Sequence, residues 1–218
     1  MKLIIINEVD FTANDMLTNK LAVTEHISHY SPQWGFGMPE VDTMTFVGDA
    51  SKAKDLDVYD IKVYITNRNR RTGAAGYHIV ERGKPVAYIL PNTKFNRFGV
   101  YRKPIGRFPA YYRSGCLEVI CHEIAEILGD PLITTFSAPD SQGRNWLREI
   151  ADPVAGSHYM RVINGVNCVL PDIVLPSFYE VNGVAPYSLG ESVKAPFTLY
   201  VKGGYGYWRD FMGRFLKI

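Results

Sequence analysis

The period of the apolar positions changes several times along the chain, and each change marks an element. Leu3-Ile4-Ile5-Ile6 is an unbroken apolar run and predicts a buried strand. Asp10 to Asn14 supply a capping-type start. Leu17, Leu21, Val23 and Ile27 follow at helical spacing, so a helix is expected to about Tyr30, where Ser31-Pro32 ends it. From Val58 to Thr66 apolar and polar positions alternate, placing Ile61, Val63 and Ile65 on one face of a strand. Arg68 to Gly76 is a basic turn. Tyr77 to Val80 and Pro85 to Leu90 read as a hairpin around Arg82-Gly83.

The clearest helical period lies at Cys116 to Leu128, where Leu117, Ile120, Ile124, Ile127 and Leu128 form an apolar stripe. Gly129 is placed as its C-cap, and Pro131 prevents continuation. A second, short helix is expected from Asn145 to about Ala151, ended by Asp152-Pro153. From His158 onward the pattern is strand and turn.

Residues 91–115 break this order. Six basic residues interleave with six aromatics, no acid is present, and three prolines and three glycines interrupt the stretch. Such an excursion is usually tied to contact or function. The aromatic segment from Phe197 to Ile218 reads as an extension that docks on its own domain or on a neighbour.

The 218 residues fit a single domain, 1–218, with the insertion at 91–115 and the extension at about 197–218. A net charge of +2 gives no global field for nucleic acid, so Arg and Tyr at 91–115 fit protein or peptide partners better. Three cysteines without paired spacing point to reduced thiols and a cytoplasmic setting. The apolar run near the N-terminus is too short for a signal peptide, and no run reaches the roughly 20 residues that cross a bilayer.

The candidate chemistry sits on the 116–129 helix. His122 and Glu126 are four residues apart and share a face, with Glu123 beside them. Zinc hydrolases use this spacing for two ligands one turn apart and a neighbouring glutamate that acts on a bound water. A third ligand must come from elsewhere: Glu149 first, with Asp152 and His158 as alternatives. Asp152 also suits a supporting role behind His122. Two carboxylates beside one histidine make a harder donor set than a histidine pair. Zinc is the first expectation, followed by manganese, iron or calcium. The plain alternative is a solvated helix face carrying Glu118, His122, Glu123 and Glu126 in ordinary salt bridges. His78 is either an oxyanion donor at a cleft or a structural histidine. His26 and His29 read as solvated helix positions, and Cys116 and Cys121 as core.

Ordered patches along the chain resemble a family of uncharacterised zincin-like proteins from bacteria and phage genomes. They are Ser31-Pro32-Gln33-Trp34-Gly35, Gly76-Tyr77-His78 and Gly83-Lys84-Pro85-Val86. His122-Glu123-x-x-Glu126 with Asp130-Pro131 follows, then Glu149-Ile150-Ala151-Asp152-Pro153-Val154 and Val174-Leu175-Pro176-Ser177-Phe178-Tyr179. The resemblance spans roughly 1–90 and 115–205. It implies an α+β, zincin-like fold, a mixed sheet packed on helices, with helix 116–129 carrying the site and an irregular C-terminal part. Residues 91–115 depart from it as an insertion, and zincin peptidases carry a histidine where Glu126 stands. Two functions follow as expectations. One is a metal-dependent, peptidase-like hydrolase with His122, Glu126 and Glu149 on the metal and Glu123 as general base. The other is a catalytically silent phage virion protein, whose loop and tail make contacts to other virion proteins.

Overall fold

The computed structural model describes residues 1–67, 74–91, 100–101, 112–113, 116–210 and 212–218. In chain order the elements are β1 (Lys2–Asn7), α1 (Ala13–Trp34), β2 (Glu40–Thr45), β3 (Ile61–Ile65), β4 (Gly76–Glu81) and β5 (Lys84–Ile89). Then come β6 (Val100–Tyr101), β7 (Tyr112–Arg113), α2 (Cys116–Gly129), β8 (Asn145–Trp146), β9 (His158–Ile163), β10 (Val166–Pro171), β11 (Tyr207–Arg209) and β12 (Phe215–Lys217). Most of the stretch 91–115 lies outside the described residues.

The architecture is α+β. The main sheet has the order β2-β1-β3-β5-β4, with β1, β2, β3 and β5 parallel and β4 antiparallel at one edge. A parallel interior must be covered on both faces, which is why Leu3 to Ile6 are all apolar and all buried. Leu3, Ile5, Ile61, Val63 and Ile65 face the two helices. Ile4, Ile6 and Tyr64 face the 3₁₀ turns at 50–52 and 54–58, where Ala50 and Leu56 close the other side. Each fully buried isoleucine contributes about 1.5–3 kcal/mol. The β4–β5 hairpin turns at Arg82 and Gly83, both with positive φ, where the sequence predicted it. A second sheet, β6-β7-β10-β9, and a third, β12-β11-β8, complete the fold.

Helix α1 starts where expected. Thr12 caps it, and Asp15 reciprocates by accepting from the Thr12 backbone N–H at 3.0 Å. Its buried stripe differs from the expected one. Met16, Ala22, Val23, His26, Ile27 and Tyr30 face inward, while Leu17 and Leu21 are exposed. The helix also continues through Pro32 to Trp34, because a proline in the last turn removes only one intrahelical bond. His26 is a further correction. It is buried rather than solvated, with Nε2 donating to the Pro171 carbonyl at 3.0 Å, so α1 is tied to the end of β10.

Residues 145–151 are not a helix. Asn145 and Trp146 pair with β11, Leu147 N–H donates to Tyr207, and Arg148 N–H donates to Thr135. With those groups taken by neighbouring strands, no intrahelical ladder can form. Only a 3₁₀ turn follows, at Asp152–Val154. The aromatic extension docks on its own domain. Trp208 lies opposite the fully buried Trp146, and Phe197, Leu199 and Tyr200 pack against the main core.

Burial holds the His26 imidazole neutral, lowering its pKa from 6.5 to about 3. The unfolded chain therefore gains a proton below pH 6.5 that the folded chain does not gain until about pH 3. Stability from this residue is complete above pH 6.5 and is lost as pH falls toward 3, by up to ~1.4 kcal/mol per pH unit. His26→Gln, which keeps a donor for Pro171, is expected to flatten the fall in urea-derived stability over that range. An unchanged slope would assign the acid sensitivity to other groups.

Candidate metal centre

α2 is buried around most of its circumference. Leu117, Ile120, Cys121, Ile124, Ile127 and Leu128 fill the main core, as the stripe predicts. The opposite face carries Glu123 and Glu126, which are only 5% and 4% exposed. The solvated helix face is thereby excluded. Two close approaches bury these carboxylates. Gly76, at the start of β4, lies against α2 so tightly that a Cβ there would sit 2.5 Å from Val119 Cγ1 and 3.0 Å from Glu123 Oε1. Gly129 ends α2 against the extended segment that carries Glu149, and a Cβ there would meet Ile150 at 2.7 Å. Gly129 is thus the last helical residue, not a cap.

Four elements deliver six ionisable side chains to one place. β4 brings His78, and α2 brings His122, Glu123 and Glu126. The strand-like segment after β8 brings Glu149, and the 3₁₀ turn brings Asp152. His78 Nδ1 lies 3.2 Å from Glu123 Oε2 and 3.3 Å from Glu126 Oε2. His122 Nε2 lies 3.0 Å from Glu126 Oε1 and 3.1 Å from Asp152 Oδ1. Glu149 Oε2 stands 3.7 Å from the far nitrogen of His78. Two groups meet metal-site criteria among the described residues: His78, Glu123 and Glu126; and His122, Glu126 and Asp152. Of the expected third ligands, Asp152 joins His122 and Glu126, Glu149 reaches the cluster through His78, and His158 lies at the rim, 2.7 Å from Glu118.

The electrostatics are those of a confined anionic site. Burial alone would lower the pKa of His78, yet hydrogen bonds to Glu123 and Glu126 and the charges of Glu126 and Glu149 raise it to about 11. His122 is raised in the same way against its burial by Glu126 and Asp152. Burial would raise Glu126, but the two imidazoles hold it well below the usual carboxylate range. Burial and the Glu126 charge push Glu149 up to about 9 and Asp152 up to about 8. Burial also raises Glu123. The cluster therefore draws positive charge toward itself, first as protons on its histidines.

The hydrogen bonding remains incomplete. Glu126 Oε1, Glu149 Oε2 and His78 Nε2 are buried without a hydrogen-bond partner. Glu126 Oε1 is within ion-pair distance of His122 but off the hydrogen-bond direction. Buried polar atoms left in this way are costly unless something else satisfies them. Histidine nitrogens and carboxylate oxygens converging at this spacing fit a divalent cation.

The cluster meets solvent on one side. Glu118, Val119, His122 and Glu123 form one wall of a cleft of about 610 Å³, facing Ala74 to Gly76, Ala155, Gly156 and Tyr205. Tyr205 was not expected here. Its backbone N–H donates to the Asp152 carbonyl at 3.0 Å, and burial and the nearby Asp152 and Glu126 charges raise its hydroxyl pKa. The only trace in the sequence is a tyrosine among Gly203, Gly204 and Gly206, small residues that let this segment close over Ala155, Pro153 and Trp146. Comparison with protein-family models, curated proteins and solved structures finds no match to this chain.

Gly76→Ala is expected to cost ~1–3 kcal/mol, because the new methyl must displace Val119 or the Glu123 side chain. Chemical denaturation of the variant beside the wild type measures it. A change below about 0.5 kcal/mol would mean that the β4–α2 approach is looser than described.

Proposed function

We propose that this chain is a zincin-like, metal-dependent hydrolase, peptidase-like in its chemistry, with its centre in the α2 cluster. The observation that carries the reading is a buried set of four carboxylates and two histidines with unsatisfied atoms aimed inward, opening into a cleft at His122 and Glu123. The antiparallel outer strand β4, lying beside the helix that bears His122-Glu123-x-x-Glu126, supports the zincin-like part.

His122, Glu126 and Asp152 would hold the ion, with zinc the first expectation for this donor set. A bound divalent ion supplies Lewis acidity and brings the pKa of a coordinated water down to about 7. Glu123 stands on the cleft wall as the proton acceptor, and the His78 hydrogen bond at 3.2 Å orients it. Glu149 adds its charge behind His78, 3.7 Å from the far ring nitrogen. Tyr205 lines the cleft beside Asp152, and its backbone N–H holds the Asp152 carbonyl.

A contact role has one observation of its own. Phe215, Leu216 and Ile218, on and beside the outer strand β12, are 52%, 38% and 45% exposed. This apolar edge supports docking on another protein, as in the virion-component reading, and is compatible with a working centre.

Two outcomes are expected. Chelator-stripped protein should melt below the zinc-loaded form by on the order of 5–10 °C once free zinc is 100 times Kd, read by differential scanning fluorimetry. Zinc-loaded wild type should cleave fluorescently labelled casein, and Glu123→Gln should retain zinc while losing roughly 100- to 10,000-fold in rate. Full activity in Glu123→Gln would refute the general-base assignment. No zinc-dependent change in melting would remove the metal from the account.

A further inference from the structure

The cluster holds more donors than one ion uses. A hydrolytic zinc takes three protein ligands and leaves one position open, yet six ionisable side chains converge here. Five of them form two groups, with Glu149 outside both. One group joins His78 Nδ1, Glu123 Oε2 and Glu126 Oε2; the other joins His122 Nε2, Glu126 Oε1 and Asp152 Oδ1. Glu126 belongs to both, and each of its oxygens faces a different histidine. Histidine-to-carboxylate separations of 3.0–3.3 Å in these groups match the edge of about 3.3 Å that a tetrahedron with 2.0–2.1 Å bonds requires.

The charge count agrees. Glu123, Glu126, Glu149 and Asp152 carry four negative charges when ionised, and the histidines bind metal in their neutral form. One divalent ion leaves the remaining charge to protons, such as those on His78 and Glu149, in a pocket where these carboxylates are 4–6% exposed. Two divalent ions balance all four. Glu126 Oε1 and Glu149 Oε2 are buried without a hydrogen bond, each facing a histidine nitrogen, at 3.0 and 3.7 Å.

We infer that the centre binds two divalent cations bridged by the Glu126 carboxylate, the second held by His78, Glu123 and Glu126. The inference rests on the metal-centre reading above and adds a second ion to it. It places the protein with two-metal hydrolases, in which a pair of ions about 3.5–4 Å apart clamps the attacking and leaving oxygens of the substrate. Glu149 then orients the second ion's histidine through the far ring nitrogen. With the second ion bound, Glu123 acts as a ligand. The proton-acceptor role given to it above belongs to the singly loaded form.

The test is metal stoichiometry on the full chain. Chelator-stripped protein is dialysed against Zn²⁺ or Mn²⁺, and metal per chain is read by mass spectrometry. Wild type is expected to bind two equivalents, and both His78→Asn and Asp152→Asn one. Glu126→Gln, which removes the bridge, should lose at least one and weaken the other. Mn²⁺-loaded wild type should give the broadened electron paramagnetic resonance spectrum of a coupled pair, replaced by an isolated six-line signal in His78→Asn. Circular dichroism of each variant checks folding, and the wild-type count and spectrum decide the matter even where a variant fails to fold. One equivalent in the wild type overturns the second site and leaves the single-ion reading standing. Two equivalents with only isolated signals also overturn the bridged pair. No bound metal overturns both readings.

Discussion

Four acids and two histidines share one nearly dry pocket on a single face of α2. Putting like charges out of water is among the most expensive arrangements a protein can hold, unless a counter-charge comes with them. Without a metal, protons on the two histidines and on Glu149 and Asp152 meet that demand. Much of the local architecture follows from it. Gly76 and Gly129 let β4 and the Glu149 segment approach the helix, and each approach adds a donor to the cluster. Tyr205 arrives from the far end of the chain to hold Asp152. Among the described residues, no side chain of Lys or Arg is paired with these acids.

The scaffold that accepts this burden is apolar and doubly covered. The parallel strands β1, β3 and β5 are buried on both faces, and α2 is gripped by β4, β5, β10 and α1. This packing holds two triples of donors, sharing Glu126, at metal-site spacing. It also sets the direction of access. His122 and Glu123 line the cleft with Tyr205 and Gly76, whereas His78 and Glu149 are not among its lining residues.

Local pattern made a good part of this legible. The four-residue step from His122 to Glu126 placed two donors on one face, the Ile and Leu stripe set the opposite face, and the isoleucine run at β1 announced a covered strand. The hairpin at Arg82-Gly83 was equally plain. What the sequence could not carry was anything decided by partners distant in the chain. Asn145 to Ala151 looked helical, but Thr135 and Tyr207 claim its backbone. Leu17 and Leu21 looked inward-facing, yet the sheet meets α1 along the Met16–Val23–Ile27 line. His26 looked solvated because nothing near it in sequence reveals the Pro171 carbonyl. His78 was readable only as one of two alternatives, and Tyr205 not at all, since their meaning depends on which strand or turn they are laid against. Burial of Glu123 and Glu126, the fact on which the functional reading turns, belongs to the same class.

The central claim is that a divalent cation sits in this cluster. Anomalous diffraction at the zinc edge, on crystals of the zinc-loaded protein, tests it most directly. The account predicts a peak within about 2.0–2.2 Å of His122 Nε2, a Glu126 carboxylate oxygen and Asp152. A map with no peak among these side chains, or with zinc only at surface positions away from α2, would contradict it.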